Sequence, residues 1–246
     1  MHVSVIIPAY NEEQRLPQTL KAVDAYLQKQ DYAYEILVVS DGSRDGTAAV
    51  ASEMAQTIKN LRVINNKDNK GKGYVVRQGM LEAQGEFRVF MDADNATTVD
   101  HVERMWPEFS KGYDVVIGSR DMEGAFIAVS QSWVRRRLGD IFNIIVQIFS
   151  GMWGIWDTQC GFKGFTKKSA LDIFSLATID RWAFDVELLV IAKKLNYRIG
   201  QFPVTWVNDP NSKVKLKGMI RMLFEVFQIR INSLKGMYSK NRLKAE

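Results

Sequence analysis

Short apolar runs, each followed by a segment of helical spacing, limit this chain more than any other feature. Residues 3–9 (Val-Ser-Val-Ile-Ile-Pro-Ala), 35–40 (Glu-Ile-Leu-Val-Val-Ser), 61–65, 87–92 and 114–118 read as buried strands. They are short, rich in Val and Ile, and closed by Gly, Asp or Asn, as strands covered on both faces are. Pro8 fits only near a strand end, since it has no N–H for the ladder. Between the runs lie helical segments near residues 11–30, 47–58, 73–83 and 97–109. Asn11 is placed as the cap of the first, with Glu12 and Glu13 in its first turn, and Thr97 or Thr98 as the cap of the last. Strands alternating with helices of about 10–15 residues make βαβ units and a mostly parallel sheet, so the chain is α/β.

Beyond Gly118 the pattern loosens. Residues 119–131 read as a loop, 132–149 as a helix opening on Arg135-Arg136-Arg137, and 157–165 as an irregular strand region. A helix over 183–195, a strand over 198–206, a basic loop over 207–217 and an amphipathic helix over 218–234 follow. At 246 residues this predicts one large domain over residues 1–210, with a basic amphipathic helix and tail over 211–246. The net charge of +5 favours anionic partners. The single cysteine, Cys160, excludes an intrachain disulfide and a four-cysteine zinc site. The first residues enter a strand, not a signal segment. No window reaches the roughly 18–20 uncharged apolar residues of a spanning helix. The nearest, residues 141–156, contains Asn143, Gln147, Gly151 and Gly154.

In open α/β sheets, ligands bind beyond the carboxyl ends of the strands. Asp92 and Asp94 stand at such an end, and residues two apart in a strand share a side. Two hard oxygen ligands suit Mg²⁺ or Mn²⁺, which completes its shell with water and a substrate diphosphate. The plainer alternative is an acidic turn capping the next helix. Asn95 is a further ligand or a cap. Three other tips carry small polar residues: Pro8-Ala9-Tyr10-Asn11-Glu12, Ser40-Asp41-Gly42-Ser43 and Gly118-Ser119-Arg120. Arg120 is placed to grip phosphate oxygens with its planar fork. The only histidines, His2 and His101, lie outside any catalytic motif, which argues against Ser-His-Asp or Cys-His chemistry.

These motifs carry a resemblance. Val5-Ile6-Ile7-Pro8-Ala9-Tyr10-Asn11-Glu12, Val38-Val39-Ser40-Asp41-Gly42-Ser43-Arg44-Asp45-Gly46-Thr47 and Asp92-Ala93-Asp94 resemble a family 2 glycosyltransferase with a Rossmann-like, GT-A-type fold. Gly118-Ser119-Arg120, Asp157-Thr158-Gln159-Cys160-Gly161-Phe162-Lys163, the segment from Trp182 to Leu189 and Ser212-Lys213-Val214 resemble the polyprenyl-phosphate hexose synthases, nearest the dolichyl-phosphate glucose synthase branch. One departure is Ser40, where that family usually has a first Asp. The resemblance implies that Pro8, Tyr10 and Glu12 surround the base and ribose, that Asp41 accepts a hydrogen bond from the base, and that Lys72 approaches the nucleotide. It implies that Asp92 and Asp94 hold the metal on the diphosphate. It places Arg120, Arg135, Arg136, Arg137, Lys163 and Lys213 toward phosphate or lipid headgroups, and Asp185 and Glu187 near the sugar or acceptor.

The expected reaction is inverting transfer of a hexose from a nucleotide sugar to a polyprenyl monophosphate. UDP-glucose is the favoured donor, with GDP-mannose or another UDP-hexose open. A sugar or protein hydroxyl is the alternative acceptor, and it would put a base role on Asp185 or Glu187. Cationic, apolar helices over 138–156 and 219–231 suit a membrane surface. Peripheral placement at the cytoplasmic face is expected, and the alternative cover for those apolar sides is the core or a homodimer. No nucleic-acid partner is expected, because the stacking signature of single-strand binders is missing.

Overall fold

A computed structural model describes residues 2–128, 133–207 and 216–244. The chain opens β1 (Val3–Ala9), α1 (Leu16–Leu27), β2 (Tyr34–Asp41), α2 (Thr47–Met54), β3 (Leu61–Asn66), α3 (Lys72–Glu82) and β4 (Phe87–Met91). It continues through a 3-10 helix (Val99–Arg104), α4 (Trp106–Ser110), β5 (Val115–Ser119), β6 (Phe126–Ile127) and α5 (Trp133–Ser150). Then come β7 (Phe162–Thr166), α6 (Lys167–Leu176), α7 (Phe184–Lys194), β8 (Ile199–Pro203), β9 (Thr205–Trp206) and α8 (Leu216–Leu234).

The main sheet has seven strands in the order β3-β2-β1-β4-β7-β5-β8. Its pairings are parallel except those of β7, which runs antiparallel to both β4 and β5. The strand order reverses between β1 and β4, because the chain builds outward to β3 and α3 then carries it back. Such a reversal opens a crevice at the carboxyl ends of β1 and β4. Every residue of β1 and β2 is buried, as expected of strands covered on both faces.

Side chains alternate between two cores. Val3, Val5 and Ile7 pack with Leu16, Leu20 and Val23 of α1 and with Val102 and Met105. Ile6, Leu37 and Val39 face α3, α6 and α7, and Met222, Val226 and Ile229 of α8 join that same core. The boundary expected near residue 210 falls outside the described residues.

Several elements differ from the sequence reading. Asn11 is no helix cap: its φ of 52° puts it in a left-handed turn, and α1 starts only at Leu16 with Pro17 in its first turn. The helix expected over 97–109 is a 3-10 turn followed by the short α4, which begins next to Pro107. β7 is regular only from Phe162. Helix α6 was not anticipated; Thr166 caps it, its hydroxyl accepting from the Ser169 amide at 3.3 Å. The strand over 198–206 divides at Val204, and β9 pairs in parallel with β6, inside the segment read as a loop. No helix among the described residues is long and apolar enough to cross a membrane.

Candidate active site

The sheet order brings the ends of β1, β2, β4 and β5 to one edge. Because β7 runs the other way, the loop that precedes it, residues 157–161, reaches that edge too. The amino ends of α3 and α7 lie there as well, since each leads from this edge to the start of a parallel strand.

Asp92 follows the last residue of β4, and Asp94 stands beyond it in a turn. The two are therefore not on one strand face; the turn brings them into electrostatic contact. Burial, and then the charge of Asp92, push the Asp94 carboxyl above the ordinary carboxylate range, while the Ala96 amide, Lys72 and Arg15 pull it back. The Ala96 amide donates to Asp94 Oδ1 at 3.0 Å. Lys72, the first residue of α3, places Nζ 2.5 Å from Asp92 Oδ1. Burial works against the Lys72 charge, but Asp92, Asp185 and Asp94 outweigh it and raise its pKa.

Gly161 lies so close to Asp92 that a Cβ there would fall 2.0 Å from Asp92 Oδ2. Asn95 adopts a left-handed φ of 56° and does not cap the following helix. Its Oδ1 is buried and has no hydrogen-bond partner. Among the described residues no cluster of three or more acidic, histidine or cysteine ligands occurs. The donor set is therefore two carboxylates and an orphaned amide oxygen, which fits a hard divalent ion that takes its remaining ligands from water and substrate.

At the end of β1, Pro8 is buried and Tyr10 half-buried. Asn11 laces this tip to the next loop: its Oδ1 accepts from the Arg44 amide at 2.9 Å, and its amide donates to Ser43 Oγ at 3.2 Å. Glu12 binds Arg15 through Nε at 2.7 Å and Nη2 at 2.8 Å, and its amide donates to Thr47 Oγ1. Asp41 is buried at the end of β2. Its oxygens accept from the Lys70 amide at 2.8 Å, the Gly71 amide at 3.0 Å and Asn69 Nδ2 at 2.9 Å. Burial raises its pKa and those amides offset part of the rise. Asp41 thus shapes the loop that starts α3. Ser40 is fully buried, its hydroxyl 3.2 Å from that of Ser43; a charged residue in its place would lose its hydration.

At the other end, Arg120 is clamped by Asp157, with Nε to Oδ2 at 2.8 Å and Nη2 to Oδ1 at 2.7 Å. The Arg120 amide also donates to Asp157, and the guanidinium lies 5.1 Å from the centre of the Trp206 ring. Burial of Asp157 favours its neutral form, but Arg120 overrides it and lowers the carboxyl pKa.

Lys163 and Asp185 form a second pair, at 2.5 Å, and Lys163 also donates to the Cys160 carbonyl. Lys163, expected to contact phosphate, is fully buried, with its ammonium on these two oxygens. Glu187, expected near the sugar or acceptor, is fully buried, and both its oxygens accept hydrogen bonds from Thr178, Ile179 or Tyr238. The Arg135, Arg136 and Arg137 side chains, and Lys213 altogether, lie outside the described residues. Burial pushes the Cys160 thiol up to about 12, which leaves it unreactive. His101 is buried between the Thr98 carbonyl and the Thr205 amide, a structural setting.

Three residues of the candidate site went unread as such. Asp157 and Gly161 were visible only as letters of a motif. Arg181 had no signal; it packs against Gly71, where a Cβ would fall 2.8 Å from its Cγ, and its charge acts on Asp41.

The family model "Glycosyl transferase family 2" matches residues 4–174. A dolichyl-phosphate beta-glucosyltransferase of Homo sapiens is 37% identical over 254 residues, spanning 96% of this chain and 77% of that protein. One of Saccharomyces cerevisiae is 34% identical, spanning 98% and 77%, and one of Trichomonas vaginalis is 37% identical, spanning 94% and 73%. Among solved structures, glucosyl-3-phosphoglycerate synthase from Mycobacterium tuberculosis, crystallised with Mn²⁺, uridine diphosphate and glucosyl-3-phosphoglycerate, superposes with a TM-score of 0.68 at 18% identity, over 94% of this chain and 79% of that one. Mannosyl-3-phosphoglycerate synthase from Rubrobacter xylanophilus also gives 0.68 at 18% identity, over 96% and 74%. Likeness at that identity establishes the shared fold.

Proposed function

The chain belongs to glycosyl transferase family 2, an enzyme of GT-A fold, and from that premise we propose that it transfers glucose from UDP-glucose to a polyprenyl monophosphate of the dolichyl phosphate class. The observation that carries the reading is the identity of 34–37% with proteins named dolichyl-phosphate beta-glucosyltransferase, sustained over nearly the whole chain. The site supports it chemically. A phosphate monoester has a second pKa near about 6, so the acceptor is largely dianionic at neutral pH and is its own nucleophile. Such a reaction needs positioning and charge neutralisation, not a tuned general base. A hydroxyl acceptor would call on Asp185 or Glu187, and both carboxylates are committed to partners.

In this reading Asp92 and Asp94, with the Asn95 oxygen beside them, hold Mg²⁺ or Mn²⁺. The ion supplies Lewis-acid stabilisation of the departing diphosphate. Tyr10, Glu12 and Asp41 frame the nucleoside, and Lys72 stands beside the diphosphate. Arg120, held in place by Asp157, is the cation read onto the acceptor phosphate, and Arg135, Arg136, Arg137 and Lys213 are assigned to phosphate or lipid headgroups. Attack from the face opposite the leaving group gives inversion, hence a β-linked product from an α-linked donor.

The acceptor's lipid sets the enzyme at a membrane surface, on the cytoplasmic side where nucleotide sugars are made. Ile144 and Ile148 of α5 and Phe224, Phe227, Ile231 and Leu234 of α8 are exposed. The two helices pack together, and Phe149 of one meets Phe227 of the other at 4.3 Å between ring centres. The exposed Trp153 and Trp156 follow α5. Aromatic and apolar residues on paired surface helices suit insertion to the depth of the headgroups.

The test is a transfer assay with labelled UDP-glucose and GDP-mannose supplied separately, each with polyprenyl phosphate, detergent and Mn²⁺. Chelator-sensitive label in the organic phase from UDP-glucose, abolished by Asp94→Ala in a folded protein, is the expected result. Label from GDP-mannose alone would change the donor. Nucleotide release without lipid label would move the acceptor to a hydroxyl.

A further inference from the structure

Glu187 sits where three parts of the chain meet. It lies on α7, and its side chain has no solvent exposure. Its Oε1 accepts from the Thr178 hydroxyl at 2.7 Å and from the Tyr238 hydroxyl at 2.7 Å. Its Oε2 accepts from the Ile179 amide at 2.8 Å and from the Thr178 amide at 3.0 Å. Asn232 of α8 completes the group, its Nδ2 donating to Thr178 Oγ1 at 3.1 Å and to the Tyr238 hydroxyl at 3.3 Å. Burying a carboxylate is costly unless its oxygens are satisfied, and here they are. A second strut joins the same parts: Glu225 of α8 accepts from the Ala183 amide at 3.0 Å.

The segment so fastened, residues 177–183, leans on the amino end of α3. Its Asp180 carbonyl accepts from the Tyr74 amide at 3.1 Å. Its Ala177 carbonyl and Asp180 carboxylate take the Arg77 guanidinium at 3.0 and 2.8 Å. The two backbones nearly touch. A Cβ on Gly71, whose φ is 117°, would fall 2.3 Å from the Asp180 carbonyl oxygen, and one on Gly73 would fall 2.4 Å from that of Ile179. The segment and the start of α3 therefore move as one. That start supplies the amides on Asp41 and the lysine on Asp92.

We propose that Glu187 is a positioning residue for the donor site, a clasp through which the seating of α8 and Tyr238 fixes segment 177–183 and, through it, the Gly71–Lys72 corner that meets Asp41 and Asp92. This rests on the reading of that corner as the nucleotide-sugar site. It replaces any role for Glu187 at the reacting atoms. It also links the helix laid on the lipid to the place where the nucleotide binds, so that a loosened α8 weakens donor binding while the acceptor contacts of Arg120 stay intact.

The experiment uses the full chain, hydrogen–deuterium exchange and calorimetric titration of UDP with Mn²⁺. Tyr238→Phe removes one bond of the clasp with little change of shape. Glu187→Gln is the stronger perturbation, and if it fails to fold the milder variant decides. Tyr34→Phe is the control, since it loses a bond to Asp24 at 2.9 Å on the opposite layer of the sheet. Tyr238→Phe is expected to speed exchange at the Gly71 and Tyr74 amides about fivefold, the scale of one lost hydrogen bond, and to raise the Kd for UDP by a similar factor. Tyr34→Phe leaves both unchanged. Faster exchange confined to 178–179 and 232–238, with Gly71 and Tyr74 as in the wild type, would overturn the proposal whatever the nucleotide does. If the wild type does not bind UDP, the UDP-glucose donor reading fails, and the exchange pattern still decides the clasp.

Discussion

The carboxylates at the tip of β4 carry an electrostatic cost that the proposed metal site would explain. Asp94 is partly buried beside a like charge, so its ionised form disfavours the fold. Asp94→Asn should therefore raise Tm in chelator by about 2 °C, the scale of somewhat under 1 kcal/mol for a chain of this size, while abolishing Mn²⁺ binding. Gly161 is the converse. Its hydrogen is all that fits against Asp92, and Gly161→Ala should displace that carboxylate and lower kcat/KM about 100-fold. Far-ultraviolet circular dichroism checks that the fold remains. Asp157 carries a pH signature. Its folded pKa lies below its unfolded one, so the stability it contributes is present above an unfolded pKa of about 3.9 and lost as pH falls through the folded value. Asp157→Asn should cost about 3 kcal/mol at neutral pH, because it leaves Arg120 unpaired. Denaturation midpoints of variant and wild type should begin to converge as pH falls below about 3.9 and meet only below the folded pKa of Asp157.

At the scale of elements, the sequence was most readable where one element's own residues decide its structure. The apolar runs of β1, β2, β4 and β5 could be placed because buried parallel strands leave a local mark, and their tips marked the edge on which the candidate site is read. Helix α6 and the β6–β9 pair escaped notice. The first is short, although Ala170, Ile173 and Phe174 recur at helical spacing behind its Thr166 cap, and the second depends on two short segments whose paired residues, Phe126 and Thr205, lie far apart in the chain. The roles of Gly161, Arg181 and Glu187 are equally invisible along the chain, since each is defined by what lies across the fold. The amphipathic reading of α8 yields an element-scale prediction. Phe224→Glu with Leu234→Glu should weaken co-flotation with lipid vesicles at least several-fold, while stability stays within about 1 kcal/mol, because both side chains stand in solvent.

For the whole molecule, the carboxyl-terminal stretch is part of the body. Met222, Val226, Ile229 and Tyr238 are each 5% exposed or less. Burying such side chains stabilises by about 1.5–3 kcal/mol each, a total comparable with the ~5–15 kcal/mol that separates most folded chains from unfolded ones. Removing residues 211–246 should therefore abolish cooperative unfolding as well as activity, a result read directly by calorimetry. The loop after α5 has a further consequence. Trp153 and Trp156 are 67% and 48% exposed, next to the apolar face and short of the Asp157 that holds Arg120. Indole emission moves to the blue and brightens when the ring leaves water for a less polar medium. The protein thus carries its own optical probe of the proposed membrane contact: adding lipid vesicles should shift its native fluorescence to the blue, with no label, at the end of the molecule next to Asp157 and Arg120.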